Sequence, residues 1–261
     1  MSLAVFQRRL FISLLALISL LLLGSPARAD EENGSPIPRN GFTLGFGVND
    51  TNPGYVGYNH QLTPFPFFSY RNGRFFLAGI TAGYVVAKDS GYSLSLMVRP
   101  RYLRLKASDS PQLAGLATRQ ISLDGGAVLS VFGRGGRLNL GLFHDLLNRN
   151  KGTEASLGYS YPIHLRSWTL SPGLGIIWES ASLTNYYYGV SPAEALPTRP
   201  AYAPGAATNP YVGLGLFIPL TPRWRFFSQL RYTRFDTTIQ HSPIVDTSHS
   251  LSATVALGYT F

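Results

Sequence analysis

The chain closes on an unbroken two-residue rhythm. In LSATVALGYTF, residues 251–261, the alternate positions Leu251, Ala253, Val255, Leu257, Tyr259 and Phe261 are apolar. Between them stand Ser252, Thr254, Ala256, Gly258 and Thr260, all small or weakly polar. A period of two marks a β-strand whose two faces meet different surroundings, because successive side chains point to opposite sides. The rhythm recurs upstream. Phe42, Leu44, Phe46 and Val48 alternate with Thr43, Gly45, Gly47 and Asn49. Leu94, Leu96 and Val98 share a face of YSLSLMVRPRYLRLK, and Leu138, Leu140 and Leu142 alternate with Asn139 and Gly141. Trp168, Leu170, Leu174, Ile176 and Trp178 line one side of a later segment.

Turn signals separate these segments. Asn72-Gly73 is the strongest short hairpin signal. Lys88-Asp89-Ser90-Gly91, Arg134-Gly135-Gly136, the stretch 162–167 and Thr221-Pro222-Arg223 also read as turns, while 185–209 and 238–248 read as long loops. Eleven strands are counted in this way, with RFFLAGITAGYVVA taken as one of them. A single-chain bacterial barrel has an even number of strands and both ends in the periplasm. Placing the turns at 72–73, 134–136, 162–167 and 221–223 on the periplasmic side works except across residues 99–120. A twelfth strand is therefore expected there; merging two segments would give ten.

Composition selects a barrel over the alternatives. Charged residues make up 13% of the chain, about half the share usual in a soluble domain. No stretch after residue 29 is long and apolar enough for a membrane-spanning helix, which needs ~20 residues. In a bilayer only helices and closed barrels satisfy the backbone internally. A soluble β-sandwich would charge its second face, whereas here that face is Gly, Ser, Thr and Asn. The fold class expected is all-β: a transmembrane antiparallel up-and-down barrel of about 12 strands, or 10. The N-terminus agrees. Arg8 and Arg9 precede the apolar run Leu10 to Leu23, and Ala27-Arg28-Ala29 offers a small-residue cleavage site, the layout of a secretory signal peptide. The expected organisation is a signal peptide over 1–29, a periplasmic tail over 30–40 and a barrel over 41–261. There is no cysteine, hence no disulfide framework and no thiol chemistry.

If Leu, Phe and Trp face lipid, parity turns the charges inward, since a charge on the lipid face costs ~2–4 kcal/mol at the midplane. Asp124, Asp145, Glu154 and Glu179 then face the lumen from the middle strands, and Arg99, Arg101, Arg225 and Arg231, with Gln229, face it from two others. Such a lumen can cross-link itself through the planar arginine fork, or it can form a constriction selective for a small solute. Trp168, Trp224, Tyr259 and Phe261 fall near strand ends, where amphipathic rings settle at a membrane interface. Leu257, Tyr259 and Phe261 also suit the terminal strand that bacterial barrel-insertion machinery recognises.

Little points to catalysis or cofactors. His60, His144, His164, His241 and His249 lack metal-site spacing, and no cysteine supports one. His249-Ser250 could evoke a hydrolytic pair, but neighbours on a strand point to opposite faces. The segments GLGLF and GLGI lack the helix a phosphate loop requires; glycine there relieves crowding on the inner wall. The formal net charge of +9 has no basic cluster behind it, so no nucleic acid is expected, and arginines beside lipopolysaccharide account for it.

Several stretches together resemble the MipA/OmpV family of Gram-negative outer-membrane proteins. Asn185-Tyr186-Tyr187-Tyr188-Gly189-Val190-Ser191-Pro192-Ala193-Glu194-Ala195, followed by Arg199 to Tyr202, is similar to the family's long-loop segment. PLTPRW at 219–224, Ser242-Pro243-Ile244-Val245-Asp246, PFPFFSYRNGRFF and the final LGYTF are similar to its other motifs. The resemblance implies an outer-membrane barrel, named for interaction with a murein-degrading lytic transglycosylase, with no catalytic residues to carry over. Other members are described as porin-like or as adhesins. The leading expectation is thus a non-enzymatic scaffold for murein-remodelling enzymes, with a small-solute channel second and a surface adhesin using loop 185–209 third. Its surroundings would be outer-membrane lipid, lipopolysaccharide and the insertion machinery, with no cofactor.

Overall fold

The computed structural model describes residues 42–261. The signal peptide expected over 1–29 and the tail 30–40 lie outside the described residues. The alternating segments form strands β1 (Phe42–Thr51), β2 (Gln61–Asn72), β3 (Phe75–Gly79), β4 (Thr81–Lys88), β5 (Tyr92–Arg101), β6 (Ser122–Gly133) and β7 (Gly136–Asp145). They continue as β8 (Thr153–Ser160), β9 (Ile163–Leu165), β10 (Trp168–Glu179), β11 (Ala207–Pro219), β12 (Trp224–Arg234) and β13 (His249–Thr260). All belong to one antiparallel sheet, which the β10–β11 and β1–β13 pairings close into a barrel. The short β9 and β8 pair with successive parts of β10, so they are two pieces of one wall strand interrupted at Tyr161-Pro162. The wall therefore has 12 strands.

The twelfth strand is not where the turn parity suggested. Residues 102–121 form a loop with two short 3-10 turns and one isolated bridge, Leu105 to Arg119. The extra reversal lies inside RFFLAGITAGYVVA. Ala78 pairs with Thr81 across the two-residue turn Gly79-Ile80, and Gly79 has φ +63. A two-residue hairpin with glycine first matches the right-handed twist of the flanking strands. With this strand added, turn 89–91 moves to the periplasmic side and the orientation holds around the ring.

Thr43 is paired with Thr260 and Phe42 with Tyr70, so both ends of the described chain meet at one rim. The turns at 73–74, 89–91, 134–135, 166–167 and 220–223 share that rim, which is the periplasmic one. The longer loops share the other. Leu44, Phe46, Leu96, Leu142, Leu174, Val212 and Leu257 stand exposed on the outside. Such a belt is costly in water and satisfied by lipid. The protein is a closed, membrane-spanning barrel.

Inside, rings lie over glycines. A Cβ on Gly47 would sit 2.4 Å from the Phe65 ring, and one on Gly83 would sit 2.3 Å from Phe76. Phe65, Phe67 and Ala256 form a small buried cluster with Ile80 and Phe227 against it. A second and larger core lies at the extracellular rim. Tyr55, Leu105, Leu113, Leu183, Tyr187, Ile239 and Ile244, drawn from four loops, pack together with almost no exposure. This core roofs the barrel.

Candidate functional site

Parity placed the lumen charges, and the fold brings five of them together under the roof. β5 carries Arg99 and Arg101 two residues apart, so both point inward. The adjacent β6 supplies Asp124, and β8 and β10, further round the wall, supply Glu154 and Glu179. The Arg99 Nη2 donates to Glu154 Oε1 at 2.7 Å, and the Arg101 Nη2 donates to Glu154 Oε2 at 2.7 Å. Arg101 Nη2 also lies 2.7 Å from Asp124 Oδ2, and its Nη1 is 3.9 Å from Glu179 Oε1. The Asn209 amide donates to Glu179 at 2.9 Å. The Arg99 guanidinium lies 3.7 Å from the Phe143 ring centroid, a cation–π contact that holds it flat. Opposite charges thus alternate within one cluster rather than occupying separate arcs.

The other three residues of the expected ladder stand apart. Asp145 accepts from the Ser122 hydroxyl and from the backbone N–H groups of Leu147, Asn150 and Lys151, which fixes the turn after β7. Arg225 donates to the Thr260 hydroxyl at 3.0 Å near the periplasmic mouth. Arg231 lies 4.6 Å from the Tyr211 ring centroid, and among the described residues no carboxylate pairs with it. Arg231 also lines two lumen spaces. One, of about 330 Å³, lies between the ion cluster and the roof; the other, of about 250 Å³, lies toward the periplasm among Ser171, Gly213, Gly215 and Gln229.

The loop motifs build the roof. Tyr187, Tyr188 and Val190 are buried with Ile244 and Val245. The Ser242 hydroxyl donates to the Tyr188 carbonyl at 2.6 Å, and the Val56 N–H donates to the Ile244 carbonyl at 3.0 Å. Gly189 caps the helix Ala181–Tyr188, and Pro243 lies within the tight turn after Ser242. Burial pushes the Tyr55 and Tyr188 hydroxyls up. The tyrosines of loop 185–209 therefore mostly point into the protein.

One roof pair escaped the sequence reading. Arg119 and Glu194 form a two-point ion pair between loops 102–121 and 180–206. Its sequence signal is Ser191-Pro192-Ala193-Glu194, a capping box in which Glu194 reaches back to the Ser191 N–H. Burial alone would raise the Glu194 carboxyl, but bonds from Arg119, the Ser191 and Ala117 N–H groups and the Ser191 hydroxyl hold it down at about 2.

At the other rim, Trp168, Trp224 and Phe261 sit exposed on the outer face at strand ends, with Tyr259 half-buried among them. Phe261 stacks on Phe42 at 6.3 Å and meets Tyr259 edge-on at 5.1 Å; Leu257 continues the same outward row. The histidines are dispersed. His60 faces Asp50 and His144 faces Thr153 at 3.0 Å each, and His164 faces Thr169 at 3.2 Å. His249 stacks on Tyr232 outside the wall, while the Ser250 hydroxyl donates to the Asn52 carbonyl.

The family model described as MltA-interacting protein MipA matches residues 42–261. The chain is 28% identical over 223 residues to the MltA-interacting protein of Escherichia coli, covering 84% of this chain and 90% of that one. It is 33% identical over 147 residues to the outer membrane protein OmpV of Vibrio cholerae, covering 56% of this chain and 57% of that one. Among solved structures, an outer membrane channel of Pseudomonas putida aligns with a TM-score of 0.41 and 13% identity, over 89% of this chain and 98% of that one. Matched from its first described strand to its last residue, the chain belongs to the MipA family of outer-membrane proteins.

Proposed function

We propose that this barrel is a non-enzymatic scaffold that docks a periplasmic murein-remodelling enzyme, of the lytic transglycosylase class, on its periplasmic rim. The observation that carries this reading is the charge of that rim. Arg74, Arg134, Arg166 and Arg223 stand in its turns, Lys88 at its edge, and Arg71, Arg137 and Arg225 just inside the mouth. Asp89 is the only acidic side chain among the described residues at that end. Such a one-signed rim steers an acidic partner surface and speeds encounter. The roofed extracellular mouth also favours a binding role over an open pore. The name of the Escherichia coli relative, MltA-interacting protein, points the same way.

The test is retention of a soluble lytic transglycosylase by the immobilised barrel. The variant Arg134→Glu/Arg166→Glu/Arg223→Glu is expected to slow association at least about tenfold at low salt, with the difference fading at high salt. Equal retention by the wild type and the variant overturns the reading. A second reading, a small-solute channel, draws on the two lumen spaces that share Arg231. Single-channel steps abolished by Arg231→Glu would favour it.

A further inference from the structure

The β3–β4 hairpin is too short to fill its place in the wall. β3 pairs with β2 only from Phe68 to Asn72, and β4 reaches β5 only as far as Val98. Above it, Leu62 to Phe67 of β2 and Arg99 to Arg101 of β5 have no strand between them. In an antiparallel sheet, successive residues turn their N–H and C=O groups to alternate neighbours. The Asn52 N–H bonds to Leu251 on β13, so the outward residues of β1 serve β13 and its inward ones serve β2. The outward residues of β2 therefore face the gap. Likewise the Leu146 N–H bonds to Leu123 on the β7 side of β6, which leaves the outward residues of β5 facing the gap from the opposite edge.

Four outward positions line this seam: Leu62, Pro64 and Pro66 on β2, and Pro100 on β5. Three are prolines, which have no N–H to leave unpaired. Inside a sheet, proline is confined to edges for this reason, and a donor orphaned in hydrocarbon carries a heavy penalty. The seam is thus a built edge. The Gln61 amide closes its top, donating to the Tyr102 carbonyl at 2.7 Å. Ile80, at the hairpin tip, packs on Phe65 and Phe67 at its foot. Behind it lies the 330 Å³ space, which Pro100 borders directly, with Arg231 on its wall and Tyr188 and Phe235 in its roof.

We propose that the seam is a lateral portal for an anionic single-chain amphiphile from the outer leaflet. The head lodges beside Arg231, which lines this space and which no described carboxylate pairs. The hydrocarbon chain lies between β2 and β5, where the proline edges ask no hydrogen bond of it. The roof blocks the axial route, so the side is the way in. This inference stands independently of partner docking at the other rim.

The experiment uses the whole barrel in phospholipid vesicles, with three probes carrying the same mid-chain diazirine: a long-chain carboxylate, the matching alcohol and a lysophosphatidate. After photolysis, labelled peptides are mapped. Labelling by an anionic probe is expected to concentrate in 61–68 and 98–103 over the equally lipid-exposed 212–218. Preference between the two anionic probes tells whether a carboxylate or a phosphate head is taken. Arg231→Gln should cut anionic labelling there about tenfold, the loss of a charge-assisted bond. Arg231→Lys should restore most of it, and the alcohol should be unaffected. Bridging Leu62→Cys to Pro100→Cys with a bifunctional thiol reagent should abolish seam labelling without altering 212–218. Uniform labelling around the wall, or seam labelling indifferent to head charge and to Arg231, overturns the proposal.

Discussion

Arg119 and Glu194, 75 residues apart in sequence, meet end-on, with Nη1 to Oε1 at 2.9 Å and Nη2 to Oε2 at 3.0 Å. Both side chains are about nine-tenths buried, so each needs the other. Removing one partner of such a pair leaves an uncompensated charge and costs about 3–5 kcal/mol. Glu194→Gln should therefore loosen the roof while the wall stays formed, and limited proteolysis or amide exchange of 102–121 and 180–206 would report it. The pH dependence follows from the depressed carboxyl. Its ordinary value is 4.5 and its folded value about 2. The stabilisation is fully present above 4.5 and is lost as pH falls from there through about 2. Relative to the intrinsic exchange rate, protection of these two loops should fall as pH drops across that window in the wild type and be flat in Glu194→Gln.

Arg101 is the hub of the lumen cluster, within 4 Å of Asp124, Glu154 and Glu179. Arg101→Met would leave three carboxylates facing one another with only Arg99 to offset them. The unfolding midpoint should fall by several degrees, and most of the loss should return in Arg101→Met/Glu154→Gln, which removes one of the stranded charges. Loss of equal size in the single and double variants would contradict this.

Gly79 and Gly205 make a controlled pair. Neither has an atom within 4 Å of a built Cβ, but only Gly79 has a positive φ, at +63. Gly79→Val should cost about 1–2 kcal/mol from left-handed strain alone, whereas Gly205→Ala should be neutral or slightly stabilising. Urea unfolding in lipid would separate them.

Phe261 is 75% exposed and touches Phe42 and Tyr259. Deleting it should change the stability of the finished barrel little, because so little of it is buried. It should slow insertion by the cellular assembly machinery if the terminal row Leu257, Tyr259 and Phe261 is read as a signal. Folding rates with and without that machinery test this; an equal rate in both cases for wild type and deletion would remove the role.

The sequence by itself determined the barrel, its inward and outward faces, and the membrane it occupies. Strand periodicity is a local property, written between residues i and i+2, and a hydrocarbon solvent leaves few other folds for so many alternating segments. The inward placement of Arg99, Arg101, Asp124, Glu154 and Glu179 followed from parity alone. Tertiary structure alone decided which strands become neighbours and where the wall is thin. A strand as short as Phe75–Gly79 is hidden inside a longer alternating run, because reversal at Gly79 keeps the apolar pattern nearly intact. Closure of the ring chose the partners of Arg101, left Arg231 beside Tyr211 with no carboxylate among the described residues, and brought Arg119 to Glu194, since these contacts join residues far apart in sequence that no local pattern connects. The prolines of PFPFF were visible from the start, but their purpose at an edge emerged only once the strand missing beside them was seen.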